Sequence, residues 1–214
     1  SRGLFPLAAA IRRGNKSQFA STQEHRQRIV NLIKDYRTLL GQGVVARFDP
    51  ETYSDAVAFA RIGEGSLGGK ARGLAFMNSM ILKHRLYDKH ANVRIMIPRS
   101  VVIATDYFDD FIRLNGLKYI ISQEFSDEEL LSEFVSSTVP ARLQQELKAY
   151  IQTVRTPLAV RSSSKLEDSH YQPFAGIYST YMIPYVDNGD QMLRLLLKAV
   201  KSVYASVYFA TSRA

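Results

Sequence analysis

The sequence contains no cysteine, which excludes disulfide bonds and thiolate-bound metal sites. No segment reaches the run of about 18 apolar residues that a membrane-spanning helix needs, so we expect no membrane partner. The first residues lack the long apolar stretch of a signal peptide. These absences are compatible with a reducing compartment, and we predict a cytoplasmic location.

The motifs of nucleic-acid-binding proteins are also missing, although the chain is basic. Its 28 Lys and Arg residues outnumber its 20 Asp and Glu residues, which gives a net charge of +8. Such a surface attracts nucleic acid, anionic lipid or polyphosphates. Because helix-turn-helix, zinc-finger and RNP-type patterns are absent, we favour a basic surface on an anion-binding protein and do not expect nucleic acid as a partner.

A chain of 214 residues with 46% apolar side chains is long enough for one large domain or two small ones. It starts with Ser1 and not with Met, so we expect a piece of a longer or processed protein. Residues 1–60 carry no usable motif and are predicted to be a helical N-terminal extension or linker. Residues 61–214 are predicted to form the functional domain.

Predicted strands and helices are interspersed, which favours an α/β or α+β fold with a mixed sheet and flanking helices. Apolar residues at helical spacing predict helices over residues 22–40, 69–86, 106–114, 126–134, 140–154 and 190–214. β-branched and aromatic runs predict strands over residues 93–97, 100–104, 158–161 and 177–183. Four residues are predicted helix caps: Ser21, Thr105, Ser126 and Asp190.

Five of the twelve glycines lie between Gly63 and Gly73. Clustered glycines allow positive φ angles and expose consecutive backbone N–H groups. A helix that starts there adds unpaired donors and the positive end of a dipole, and Lys70 adds a mobile positive charge. These groups suit a phosphate, so the run indicates a nucleotide or another phosphorylated ligand. The alternative is a glycine-rich turn before a helix, with a solvated lysine.

Known phosphate-binding motifs fit this run incompletely. Gly63, Gly65 and Gly68 match the dinucleotide fingerprint, but the preceding strand is only fair and no second strand carries the expected acidic residue. A P-loop would need glycine in place of Glu64 and a hydroxyl in place of Ala71. The companion motifs of a protein kinase are absent. The kind of phosphate site therefore stays open at this point.

A second polar segment begins at the end of a predicted strand, where Arg161 is followed by Ser162 and Ser163. An arginine at the end of a strand can donate two hydrogen bonds to a phosphate, and serine hydroxyls add neutral donors. The alternative is an ion pair between Arg161 and the following Glu167 or Asp168, which would tie down a loop.

The two segments together resemble the N-terminal ATP-binding domain of the pyruvate phosphate dikinase and phosphoenolpyruvate synthase family. The family's Gly-Gly-Lys-x-x-x-Leu motif is matched by residues 68–74 and its Val-Arg-Ser-Ser motif by residues 160–163. Residues 97–108 match a family segment between these two motifs that contains Pro, Thr and an aromatic residue. The family's Phe-Ala-Gly is matched by residues 174–176. The ordered matches extend over roughly residues 60–213.

The resemblance implies an ATP-grasp-like architecture in which ATP lies between two lobes, with this chain as the first lobe. It implies that Lys70 and Arg161 contact the ATP phosphates and that Gly176 and Thr180 also contact the nucleotide. Further candidates for ATP binding come from the same motifs: Gly68, Gly69, Ser162 and Ser163.

The resemblance also implies parts that this sequence does not contain. Family members use ATP with Mg²⁺, hold the metal with acidic ligands of the second lobe, and phosphorylate a histidine on a mobile domain. We therefore expect a C-terminal lobe and a phosphohistidine domain of the same protein as partners, and neither a catalytic residue nor a metal ligand in this chain. His170 is interpreted as a surface residue. The chain alone is expected to bind ATP weakly or not at all and to be inactive.

Two other functions stay open. A non-catalytic relative could retain the fold for nucleotide sensing or scaffolding, and a basic nucleic-acid-binding domain would show steeply salt-dependent binding. These motifs do not specify the final phosphate acceptor, whether pyruvate, a polysaccharide or a small drug.

Overall fold

Two small sheets and several helices make up the computed structural model, which describes residues 5–12, 21–40, 45–51, 53, 59–86, 89, 92–93, 95–123, 125–163 and 179–213. The strands are β1 (Ala46–Arg47), β2 (Phe59–Ile62), β3 (Ser100–Ile103), β4 (Leu158–Val160) and β5 (Tyr181–Ile183). The helices are α1 (Phe5–Arg12), α2 (Thr22–Leu40), α3 (Gly69–Lys83), α4 (Thr105–Leu114), α5 (Leu117–Ile121), α6 (Asp127–Ser136), α7 (Ala141–Thr153), α8 (Gly189–Ser206) and α9 (Ala210–Arg213).

The first three strands form a parallel sheet in the order β1-β2-β3, with Ile62 opposite Ile103 at its carboxyl edge. Parallel neighbours need a crossover connection, and α3 lies in the connection from β2 to β3. β4 and β5 form an antiparallel pair with Val160 opposite Tyr181. The predicted α/β class is confirmed, and in the described part of the chain the parallel and antiparallel pairs form separate sheets.

One hydrophobic core joins both sheets to the helices. Ile62 from β2, Phe111 from α4, Phe134 from α6, Leu143 from α7 and Leu196 from α8 belong to it. Helix α8 contacts α6 and α7 as well as both strands of the antiparallel pair. This packing fixes the position of β4 relative to the parallel sheet. No helix among the described residues has the length and apolar character needed to cross a membrane.

Residues before the predicted boundary at residue 60 take part in the same body. β1 pairs with β2, and the ring of Phe48 lies edge-on to the rings of Tyr53 and Tyr150 in the core. Farther upstream, α1 and α2 contact each other. The boundary itself stays a prediction, and these contacts favour one that precedes β1.

Helices with strong local signals match their predictions. The predicted helix 22–40 is α2, and the Ser21 hydroxyl accepts a hydrogen bond from the Glu24 N–H at 3.1 Å. At the start of α6, the Ser126 hydroxyl accepts from the Glu129 N–H and the Glu129 carboxylate accepts from the Ser126 N–H. Pro140 immediately precedes α7, where its missing N–H costs nothing. Local capping chemistry therefore sets these boundaries.

Other helix boundaries differ from prediction. Helix α3 ends at Lys83 and not at Leu86, because Arg85 leaves the helical region with a φ of 50°. Thr105 was expected to cap α4 but is its first residue, and the structure shows no side-chain cap there. Asn188 caps α8 in place of Asp190, since its side-chain oxygen accepts from the Gln191 N–H at 2.9 Å.

The C-terminal helix is shorter than predicted. It ends at Ser206, and α9 follows as a separate short helix. The N–H groups of Val207, Tyr208 and Phe209 bond to carbonyls three residues back, which tightens the last turn and ends the α-helical pattern.

Two strand predictions are corrected. Residues 93 and 95–97 form no strand in the described part of the chain. The strand that pairs with β2 begins only at Ser100, after Pro98, which has no N–H to donate to a sheet. The predicted strand 177–183 is observed only as β5, with residues 179 and 180 outside it and residues 177 and 178 outside the described part.

Candidate functional site

The glycine loop, residues 63–68, lies at the carboxyl edge of the parallel sheet. It leaves β2 at Ile62 and enters α3 at Gly69. The neighbouring strand ends beside it, where the Ala104 N–H donates to the Ile62 carbonyl at 2.8 Å and α4 begins at the next residue. Ligands of open α/β sheets bind outside this edge. The loop and the starts of two helices therefore lie where a ligand site is expected.

Asp106 and Thr105, at the start of α4, hold the first half of the glycine loop. Asp106 Oδ2 accepts from the Glu64 N–H at 2.9 Å, and Oδ1 accepts from the Gly65 N–H at 3.1 Å. Thr105 Oγ1 accepts from the Ser66 N–H at 3.0 Å, and the Thr105 N–H donates to the Ser66 carbonyl at 3.0 Å. Three consecutive N–H groups of the loop are therefore bonded to α4.

The charge state of Asp106 follows from these bonds. Burial acts to raise the pKa of its carboxyl, but the N–H groups of Glu64 and Gly65 bond to the charged form and hold the pKa below its usual value. Clustered backbone N–H groups around an anion form an anion-binding nest. In this protein a carboxylate of the chain itself lies in that nest.

Close packing against α4 accounts for two of the glycines. Gly63 has a φ of +95°, and a Cβ added there would lie 2.5 Å from Asp106 Oδ1. A Cβ added at Gly65 would lie 2.6 Å from the Asp106 nitrogen. Both distances are shorter than real Cβ contacts, so no larger residue fits without a shift of the loop, of α4 or of the Asp106 side chain.

Ser163, from the second segment, caps the start of α3. Its carbonyl accepts from the Gly69 N–H at 2.9 Å. Its hydroxyl accepts from the Ala71 N–H at 2.9 Å and donates to the Leu67 carbonyl at 2.8 Å. The first N–H groups of a helix have no partner within the helix, so Ser163 acts as a cap from 92 residues away. The two segments singled out in the sequence are in direct contact.

Gly68 makes this contact possible. Its φ is +79°, and a Cβ added there would lie 1.8 Å from the Ser163 carbonyl oxygen. The glycine is therefore required by the approach of another part of the chain as well as by its own backbone conformation.

The two predicted phosphate-binding cations belong to the segments that meet at Ser163. Lys70 is half-buried in the first turn of α3, between the two residues whose N–H groups bond to Ser163. Arg161 is exposed just after β4, and two residues of chain from Arg161 to Ser163 span at most about 7 Å. Among the described residues, none is paired with the Arg161 guanidinium.

The remaining predicted residues fall into two groups. Thr180 is exposed just before β5, and because Val160 is opposite Tyr181 it lies at the same end of the antiparallel pair as Arg161. Ser162 is buried. Four residues lie outside the described part of the chain: Glu167, Asp168, His170 and Gly176. The contacts with ATP expected for Ser162, Gly176 and Thr180 stay predictions, as do the alternative ion pair of Arg161 with Glu167 or Asp168 and the surface position of His170.

The sequence does not predict the roles of Thr105 and Asp106 in holding the loop. Thr105 belongs to the intervening motif of the family pattern, and Asp106 has the features of an ordinary acidic residue in a first helical turn. The bonded residues are 42 positions apart for Asp106 and Glu64. A single sequence carries no spacing signal for a contact at that distance.

The described residues do not fit a magnesium site. No group of three or more His, Asp or Glu side chains among them is placed to hold a metal ion. Both oxygens of Asp106 already accept backbone N–H groups. The predicted location of Mg²⁺ ligands outside this chain stays a prediction.

Comparison with known proteins identifies the family. A family model described as the pyruvate phosphate dikinase AMP/ATP-binding domain matches residues 64–214. No curated protein and no solved structure matches the chain. The match includes the glycine loop from Glu64 onward, the start of α4 and the segment that holds Ser163. The chain therefore belongs to the pyruvate phosphate dikinase AMP/ATP-binding domain family.

Proposed function

We propose that this chain is the ATP-binding lobe of a phosphotransferase of the pyruvate phosphate dikinase and phosphoenolpyruvate synthase type. In such a protein a phosphoryl group passes from ATP to a histidine on another domain. The observation that carries the proposal is the contact at Ser163, which joins the two family motifs at the start of α3. The match to an AMP/ATP-binding domain family supports ATP as the nucleotide.

Lys70 and Arg161 are the proposed phosphate-binding side chains. Catalysis of phosphoryl transfer depends mainly on positioning and on neutralising charge. The Lys70 ammonium supplies a compact positive charge, and the Arg161 guanidinium supplies two parallel donors. Because Lys70 and Arg161 belong to the two segments that meet at Ser163, we expect one polyphosphate chain to contact both.

Backbone donors of the glycine loop contribute little to this proposed site. The N–H groups of Glu64, Gly65 and Ser66 are bonded to Asp106 and Thr105. Those of Gly69 and Ala71 are bonded to Ser163. Phosphate binding in this lobe therefore depends mainly on side chains, whereas in a P-loop the loop backbone surrounds the phosphates.

Two further parts of the proposal come from the family and concern other parts of the protein. An ATP-grasp-like second lobe would close over the nucleotide and hold Mg²⁺, and a mobile domain would carry the accepting histidine.

Within this chain, we propose six further residues around ATP: Gly68, Gly69, Ser162, Ser163, Gly176 and Thr180. Residues 1–214 alone are expected to bind ATP weakly or not at all and to turn nothing over, and we expect a cytoplasmic protein.

Calorimetry with ATP on the full-length encoded protein tests the proposal. Lys70→Ala and Arg161→Ala should each weaken binding about tenfold or more, because each removes a charge-assisted contact. Lys118→Ala, an exposed lysine on α5, should leave the affinity unchanged. Mass spectrometry after incubation with ATP and Mg²⁺ should detect phosphate on a histidine.

Other results would point to the other functions. Wild-type protein that does not bind ATP would overturn the proposal in favour of a scaffolding relative. Binding without phosphorylation or AMP formation would indicate a nucleotide sensor. Fluorescence polarisation with labelled oligonucleotides at low salt tests the nucleic-acid alternative, and we expect an unchanged signal.

A further inference from the structure

The start of α4 determines the shape of the glycine loop. Asp106 and Thr105 accept from three consecutive loop N–H groups and return one bond to the Ser66 carbonyl. The Ser66 hydroxyl in turn accepts from the Arg72 guanidinium at 3.0 Å. Residues 64–66 of the loop are thus bonded to α4, and Ser66 is also bonded to the first turn of α3.

The direction of these N–H groups decides what the loop can bind. A nest of consecutive N–H groups ordinarily attracts a phosphate or another anion. Here the carboxylate of Asp106 occupies that position, and the glycines at 63 and 65 allow it to approach closely. The N–H groups in the first half of the loop are therefore already bonded within the protein, and Lys70 follows the other end of the loop, in α3.

We infer that Asp106, assisted by Thr105, is a positioning residue that supplies an internal anion to the glycine loop and thereby sets the placement of Lys70 for the ATP phosphates. The inference rests on the proposed function, and it adds a role for residues that contact no nucleotide. A small misplacement of a charged group weakens its contact with a phosphate severely. The effect should therefore concern phosphate recognition and not the adenosine part of the ligand.

Two conservative variants of the full-length protein test this role. Asp106→Asn replaces one accepting oxygen by an NH₂ group, and Thr105→Val removes the hydroxyl while keeping the size of the side chain. Thermal unfolding first shows that each variant is folded. Calorimetry should then give about tenfold weaker ATP binding for Asp106→Asn and about threefold for Thr105→Val, with adenosine affinity unchanged in both. Thr105→Ser, which retains the hydroxyl, should bind ATP with wild-type affinity.

A double-variant cycle separates positioning from a general loss of stability. If Asp106 acts through Lys70, the double variant Lys70→Ala with Asp106→Asn should bind ATP no more weakly than Lys70→Ala alone. Asp109→Asn, an exposed carboxylate on the same helix, should match wild type. If Asp106→Asn does not fold, the ATP affinities of Thr105→Val and Thr105→Ser show whether the start of α4 positions the loop for ATP.

The possible results separate a failure of this inference from a failure of the proposed function. Folded variants of Asp106 and Thr105 that bind ATP like wild type would overturn the inference and leave the proposed function intact. Equal losses for ATP and adenosine, or additive losses with Lys70→Ala, would also overturn it. A wild-type protein that binds neither ligand would overturn the proposed function and the inference together.

Discussion

At the scale of single residues, the glycines of one short run have different physical causes. Gly63 and Gly65 are required by the approach of α4, and Gly68 by the approach of Ser163 together with a φ of +79°. Gly73 lies within α3, and a Cβ added there would meet no atom within 4 Å among the described residues. A glycine-rich motif therefore contains positions that tolerate a side chain and positions that do not.

Replacing Gly68 or Gly73 by alanine should change the free energy of unfolding in opposite directions. Gly68→Ala should lower the free energy of unfolding by at least about 2 kcal/mol, because Gly68 has a φ of 79° and a ψ of -177°, a region that costs other residues about 1–3 kcal/mol, and the backbone of Ser163 must also move. Gly73→Ala should raise it by about 0.5–1 kcal/mol through the better helix propensity of alanine. Urea unfolding of both variants measures the difference. Destabilisation of similar size in the two variants would contradict this account.

At the scale of secondary-structure elements, helices that begin with a local cap are the ones predictable from sequence. Ser21 and Ser126 accept the bonds that their patterns predict. At α8 two candidates compete, and Asn188 takes the role predicted for Asp190 because its oxygen reaches the Gln191 N–H. The short β1 has no periodic pattern to reveal it, since its stability comes from pairing with β2.

Helix α6 offers a direct test of local capping. Ser126→Ala removes the acceptor for the Glu129 N–H and should lower the free energy of unfolding by about 1 kcal/mol. Ser132→Ala, an exposed position within the same helix, should be neutral or slightly stabilising because alanine is the better helix former. Chemical denaturation of the two variants compares them. An equal effect of both would show that tertiary packing, and not the cap, fixes the start of α6.

At the scale of the whole molecule, the candidate site depends on contacts that one sequence cannot reveal. The sequence indicates both motif segments, and the family pattern links them, but their bond at Ser163 joins residues 92 positions apart. The bond between the Asp106 carboxylate and the Glu64 N–H likewise joins residues 42 positions apart. The shared core, with α8 packed on β4 and β5, brings these segments together, and its side-chain packing is a property of the folded chain and not of any local pattern.

Removing the Ser163 hydroxyl tests the contact between the two motif segments. Ser163→Ala removes the acceptor for the Ala71 N–H and the donor to the Leu67 carbonyl, and it should lower the free energy of unfolding by about 1–3 kcal/mol. Hydrogen exchange should accelerate at the Ala71 amide, whereas the Gly69 amide retains its bond to the Ser163 backbone carbonyl and should stay protected. Ser136→Ala is the control, because its hydroxyl bonds only within α6 among the described residues, and it should change stability by less than about 0.5 kcal/mol. If both variants had the same stability and the same exchange at Ala71, the contact between the two motif segments would not be maintained by Ser163.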